Sequence, residues 1–221
     1  ENLQAAVREA GGTLDDVCGR YATSRRPEEL VEEFEVEETE GGPGQDVTGA
    51  TPNYNVAPTA QVPVVLERAD TRWLRALIWG LVPSWAKDRA VGQKMINARA
   101  ETLTERPGYR RAARARRCLV PADGWYEWQA SPVERDGRGR PRKQPFWIHP
   151  RDAGPIALAG LYDLWRPADI DPADFAAWLC PFTVVTTAAE PGLPAVHDRM
   201  PMVLPRDRWD VWLDPELTED D

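Results

Sequence analysis

The stretch QVPVVLERADTRWLRALIW, residues 61–79, decides the fold. Gln61 to Glu67 is rich in β-branched residues and reads as a strand. Trp73 to Trp79 alternates and reads as a second, with a turn predicted at Asp70-Thr71. So short a link joins antiparallel neighbours. Outward from this hairpin the pattern repeats. Short strands are predicted at Leu119-Val120, Trp125 to Gln129, Phe146 to His149, Ile156 to Leu161 and Phe182 to Thr186. Helical spacing occurs at Pro27–Phe34, where Pro27 suits the first turn and Leu30, Val31 and Phe34 share a face. Gly108–Arg117 and Pro205–Leu213 are the other predicted helices. Glu37 to Gly49 is acidic and Gly-rich and reads as a loop, and Ser131 to Lys143 as a long, mobile basic loop. Many short strands, few helices and no regular βαβ alternation predict an α+β fold, a curved antiparallel sheet or partly open β-barrel with a few short helices.

The chain has 221 residues, 42% hydrophobic and 29% charged, which suits one globular domain. No apolar run approaches the roughly 18 residues of a membrane helix. Cys18, Cys118 and Cys180 are odd in number and widely spaced, which argues against a disulfide scaffold and fits a reducing compartment. With no CxxC pair and only His149 and His197, zinc is a poor fit, and neither metal nor organic cofactor is expected. His149 ends an apolar strand before Pro150 and reads as structural. The net charge of −9 hides a pattern. Residues 1–57, 58–151 and 152–221 carry net −9, +10 and −10. Surface charges hardly interact beyond a Debye length of about 8 Å, so the basic middle can hold an anion despite the acidic ends.

Several segments are too specific for scaffolding: Cys18-Gly19-Arg20-Tyr21, Asn53 to Thr59, Trp79 to Trp85, Ile96 to Thr102, Pro121 to Trp128, Val184 to Ala189 and His197-Asp198-Arg199-Met200-Pro201. In this order, from Cys18 to about Trp212, they resemble the SRAP family, SOS-response-associated peptidases that link covalently to abasic sites in single-stranded DNA. The family cysteine follows the initiator methionine and becomes the first residue of the mature chain. Here Val17 precedes it. Residues 1–17 are therefore expected to be a disordered leader, or no part of the mature chain, with residues 18–221 the SRAP-like domain, shortened at its C-terminal edge. A valine codon read as a start is the favoured explanation, and leader cleavage the other. The resemblance further implies a monomer in the cytoplasm, associated with the nucleoid, with no membrane partner.

An opened abasic deoxyribose presents an aldehyde, and only an unprotonated amine condenses with it. An α-amine with a pKa of about 7.8 is roughly 14% neutral at pH 7, a lysine roughly 0.04%. A terminal Cys18 adds a thiol that can close on the imine carbon to a five-membered thiazolidine, helped by high effective molarity. The plain alternative for Cys18 is a small buried apolar residue. Gly19 would allow close approach of a ligand and Arg20 would suit phosphate. Asn97 can orient the amine and Arg99 can fork onto a phosphate. An Asn turn with an Arg99–Glu101 surface pair is the alternative. Glu127, between Tyr126 and Trp128, would be raised toward neutrality by desolvation and could shuttle protons, unless it faces outward. His197 can supply a proton at neutral pH. The resemblance implies that Cys18, Asn97, Glu127 and His197 form the catalytic group. It also implies that Gly19, Arg20, Pro58, Trp85, Arg99 and Thr186 contact DNA, with Trp85 a base stacker and Pro58 a wedge. Arg110, Arg111, Arg114, Arg116 and Arg117 could meet phosphate or simply solvate a helix face. Two other functions fit these residues: a thiol peptidase using Cys18 and His197, and a noncovalent single-strand-binding module.

Overall fold

The computed structural model describes residues 18–40, 44–47, 49–174, 177–191, 193 and 196–216. The leader expected at residues 1–17 lies outside them. The central hairpin pairs β3 (Gln61–Arg68) with β4 (Thr71–Trp79) without interruption, from Gln61↔Ile78 to Arg68↔Thr71. Its turn is Ala69-Asp70, both left-handed at φ +51° and +56°, one residue earlier than predicted. Two positive-φ residues give the turn a twist that matches the strands.

From this hairpin the sheet curls into a ring. β3 pairs with β6 (Arg117–Ala122), β6 with β9 (Ile156–Tyr162) and β9 with β10 (Pro181–Ala188), all antiparallel. The ring closes where β10 lies parallel to β4 through Pro181↔Ile78 and Phe182↔Trp79. Beyond Trp79, β4 gives way along β10 to β5 (Asn97–Arg99), also parallel, from Val184↔Asn97 to Thr186↔Arg99. On the other edge β10 pairs with β11 (Arg199–Pro201), and β12 (Val203–Leu204) borders β9. A second sheet has the order β2-β1-β7-β8, comprising β2 (Asn53–Val56), β1 (Arg20–Thr23), β7 (Gly124–Arg135) and β8 (Pro141–Ile148). The fold is α+β, as the strand pattern predicts.

Alternation divides the core in two. Val62, Val64, Leu66, Leu77, Val120 and Phe182 of the ring meet Tyr21, Val56 and Trp125 of the smaller sheet, and Cys18 belongs to this cluster. The alternate residues Val65, Leu74, Leu119 and Val185 face outward. They are covered by Leu30 and the C-capping Phe34 of α1 (Pro27–Glu33), Ala112 of α2 (Arg110–Ala115) and Trp209 and Leu213 of α3 (Trp209–Leu213). Phe34 and Trp209 stack at 4.6 Å.

Two expected loops are built differently. Ser131 to Lys143 is a two-stranded ribbon, in which β7 and β8 pair as far as Arg135↔Pro141 and turn at Asp136–Arg140. Asp136 closes the turn by accepting from the Arg138 and Arg140 amides. Within the acidic segment, Glu38 and Gln45 bridge onto β4, and Arg75 reaches the Thr39 and Gly44 carbonyls. The Arg-rich helix stops at Ala115, and Arg117 opens β6.

Candidate functional site

β1 runs antiparallel to β7 with Arg20 opposite Tyr126 and Ala22 opposite Gly124. Extending that register two residues toward the start of β1 carries Cys18 to the level of Trp128, beside Glu127. Cys18 turns at φ +48°, and its N–H donates to Glu127 Oε1 at 3.0 Å. Both residues are buried, Glu127 at 2% exposure. Burial pushes the Glu127 carboxyl up to about 7, against the opposing pull of the Cys18 N–H and the Lys143 charge. Burial, and then the Glu127 charge, drives the Cys18 thiol well above its ordinary value, so it rests as a thiol. The smaller sheet thus holds a nitrogen, a sulfur and a proton carrier together in a dry place.

Around this pair, Arg20 donates to Asn55 Oδ1 at 3.1 Å and the Tyr126 hydroxyl to the Tyr54 carbonyl at 2.9 Å. These bonds tie β2 across β1. Gly19 and Pro58 are half-buried, Pro58 at the turn where Thr59 takes φ +72°. Tyr54, which the sequence reading did not single out for binding, is 58% exposed. Its alternation with Val56 within Asn53–Val56 was the available signal.

A second group gathers on β10. Asn97 opens β5, and its carbonyl accepts from Tyr109 Oη at 3.0 Å. Ile96, just before it, shares the core cluster of Cys18 and accepts from Trp79 Nε1 at 2.9 Å. Arg99 is exposed. Glu101 is held chiefly by Arg199, through two bonds of 2.7 and 3.0 Å, with the Arg99 charge a lesser influence on it. Arg199 also donates to the Thr186 carbonyl at 2.7 Å. Thr186 itself is buried, its hydroxyl near the Ala98 carbonyl. Its position suits holding Arg199 and β5. His197 is half-buried just before β11, and its Nδ1 accepts from the Arg199 N–H at 3.1 Å. That bond leaves the proton of the neutral ring on Nε2. Asp198 Oδ1, 3.0 Å from the same Nδ1, offers a partner once the ring is charged. The described ring contacts of His197 are with Arg199 and Asp198.

Trp85 stands 66% exposed on the loop after β4. Two devices present it. Gly80, at φ +125°, and Gly92 approach backbone to backbone: a Cβ on either would lie 2.6 Å from the other's carbonyl oxygen. Buried Asp163 accepts from the Ser84 amide at 3.0 Å and pairs with Arg116, while Arg111 donates to Ser84 Oγ at 3.0 Å. Two of the five helix-region arginines therefore brace the Trp85 loop. Asp163 escaped the sequence reading, since a lone charged residue beside a strand carries no periodic signal, and Arg199, though part of the His197 to Pro201 motif, was given no role.

Comparison with known proteins now adds a lineage. A profile of the SRAP family, SOS response associated peptidase, matches residues 17–221. The chain is 34% identical over 206 residues to the abasic site processing protein YoaM of Bacillus subtilis, covering 93% of this chain and 82% of that one. It is 35% identical over 207 residues to the abasic site processing protein YoqW of the same organism, covering 93% and 84%. A crystal structure of a Bacteroides thetaiotaomicron protein shares the fold at TM-score 0.75 and 22% identity, over 92% of this chain and 84% of that one. The chain belongs to the SRAP family.

Proposed function

We propose that this protein processes abasic sites in single-stranded DNA by capturing the opened sugar on Cys18. The observation that carries the reading is the 3.0 Å bond from the Cys18 nitrogen to a buried Glu127 whose carboxyl sits near 7. In the full chain that nitrogen is an amide and cannot attack; with residues 1–17 removed it becomes an α-amine. A carboxyl raised by burial is a closer match to an α-ammonium than an ordinary glutamate is, so the proton passes at lower cost. The freed amine adds to the aldehyde carbon. Glu127 returns its proton to the carbinolamine oxygen, which leaves as water, and a protonated imine remains. The Cys18 sulfur then bonds to the iminium carbon while the thiol proton passes to the ionised Glu127, closing the thiazolidine with only water lost. Asn97 orients the amine, and His197, protonated on Nε2, donates to the sugar or phosphate side. Arg20, Arg99 and the exposed faces of Trp85 and Pro58 guide the strand, with Gly19 leaving room beside Cys18.

A thiol peptidase is disfavoured by the raised Cys18 thiol and by the separate bonding of His197. The test is incubation of a chain beginning at Cys18 with abasic single-stranded DNA, then heating in denaturant. A heat-stable adduct is expected, absent for Cys18→Ala. No adduct despite binding would leave the noncovalent module, and no binding would end the DNA reading.

A second expectation concerns Arg99. It is exposed, and Glu101 beside it is engaged by Arg199, which suits Arg99 to a phosphate. Arg99→Ala should weaken single-strand binding by about 1–3 kcal/mol and flatten its salt dependence. Titrations by fluorescence anisotropy at several salt concentrations would show this; unchanged affinity and slope would remove Arg99 from the interface.

A further inference from the structure

β1 flanks β7 on one side and β8 on the other, and the capture chemistry gives β8 no part. Its register sets Phe146 directly opposite Glu127 and Gln144 opposite Gln129. Paired residues share a face, so Phe146 stands on the face of Glu127 and not on that of Tyr126 and Trp147. Alternation along β8 adds Arg142, Gln144 and Ile148 to the same face. Burial changes along this face at the level of Glu127. On one side of that level Trp125 is buried and Ile148 packs against the core. At it, Glu127 is buried but Phe146 is 37% exposed. Beyond it, Gln144 and Arg142 are exposed. The core therefore opens to solvent at Phe146, about 4.8 Å across the sheet from the strand whose carboxylate holds the Cys18 N–H. On the β1 side, the register continued by one residue puts Gly19 opposite Glu127. This row thus offers a gap on one side of Glu127 and an aromatic ring on the other.

The chemistry of the stripe selects its ligand. An exposed phenyl ring is a platform on which any nucleobase can stack. Gln144 donates through Nε2 to the Pro145 carbonyl at 3.0 Å, which leaves its Oε1 and a second N–H for a ligand. Arg142, two residues further, lies 3.4 Å from Glu134. A solvent-exposed pair of this kind is weak, so a phosphate can take the guanidinium over. β8 itself holds two cations, Arg142 and Lys143, and no carboxylate. An aromatic face that leads along one strand to an amide and a cation is the complement of single-stranded nucleic acid, base first and backbone beyond.

We infer that Phe146 is the stacking face for the intact base next to the abasic nucleotide held at Cys18, with Arg142 meeting the backbone phosphate beyond it. The inference rests on the proposed DNA reading and adds a base subsite to it. A strand that leaves Cys18 across this row meets Phe146 directly beyond Glu127. The stacked base covers the side on which the site opens to solvent, and it holds the abasic sugar in register with the Cys18 nitrogen.

The test uses the full chain and single strands carrying an unreactive tetrahydrofuran abasic analogue, so binding is read without the amine. 2-Aminopurine is placed next to the analogue, on one side or the other. The expected result is a fluorescence change on binding for one of the two placements. Phe146→Leu, which keeps an apolar side chain without a π-face, should abolish that change and weaken binding about fivefold or more. Phe146→Tyr should restore both. Arg142→Ala should lower the salt slope by roughly 0.7, the share of one phosphate contact on a single strand. A second analogue in place of the flanking base removes the stacking partner, and the parent and Phe146→Leu should then bind alike. No signal at either flank, a signal that survives Phe146→Leu, or a loss of affinity that persists without the flanking base would overturn the subsite while leaving capture at Cys18 intact. Failure of every strand to bind would instead end the DNA reading and the subsite with it.

Discussion

A chain that begins at Cys18 is expected to form a heat-stable adduct with abasic single-stranded DNA, and a chain locked behind an uncleavable residues 1–17 to form none. The contrast is all or nothing because it follows from one atom. The Cys18 nitrogen lies 3.0 Å from Glu127. As an amide its lone pair is delocalised and cannot attack a carbonyl. As an α-amine it is roughly 14% neutral at pH 7 before Glu127 contributes. The thiol alone can add to the aldehyde, but a hemithioacetal reverts on heating. Denaturing gels score the adduct, and intact mass verifies each N-terminus. Equal adduct from the locked chain, with its leader intact, would show that the terminal amine is not the nucleophile.

Glu127→Gln should slow capture about 10²-fold, the scale of one acid–base group, while leaving the protein as stable or more so at neutral pH. The sign follows from linkage. The folded carboxyl near 7 lies above its ordinary value of 4.5, so between those pH values the folded chain holds a proton that the unfolded chain has lost. Stability therefore falls as pH rises from about 4.5 to about 7, by roughly 2–4 kcal/mol, and then levels off. Glutamine keeps an oxygen for the Cys18 N–H and carries no charge to desolvate, so the pH-dependent loss should vanish. Thermal melts from pH 4 to 8 would show the parent sloping downward and the variant flat. Capture rates across the same range should lose the limb near 7. A variant that is unfolded, or one that captures at the parental rate, would make Glu127 a structural residue only.

How far the sequence could reveal this arrangement depended on the range of the interactions. The β3–β4 hairpin was legible because both strands and their turn lie within 19 residues, 61–79, and carry their own alternation. α1 was legible from Pro27 and its apolar face. The β7–β8 ribbon was not, because beyond Gln129 both of its faces meet solvent and charged residues mask the period. β5 is three residues long and exists only through its parallel pairing with a strand more than 80 residues away. The Cys18–Glu127 bond spans 109 residues, so residue types could nominate each partner, and only the fold could set them side by side. Residue type alone likewise could not show that Thr186 is buried on β10 beside the Ala98 carbonyl and Arg199.

Among the described residues β8 is an edge of the smaller sheet and pairs only with β7. An exposed edge is a template on which another chain can add a strand, and this one flanks a site that must stay open. Pro141 and Pro145 remove two amide donors from that edge, and Arg142 and Lys143 place like charges on any copy aligned with it. At the opposite edge β2 is only four residues long and follows Pro52. The sheet is thereby guarded at both ends against self-templating aggregation with a second copy of the chain.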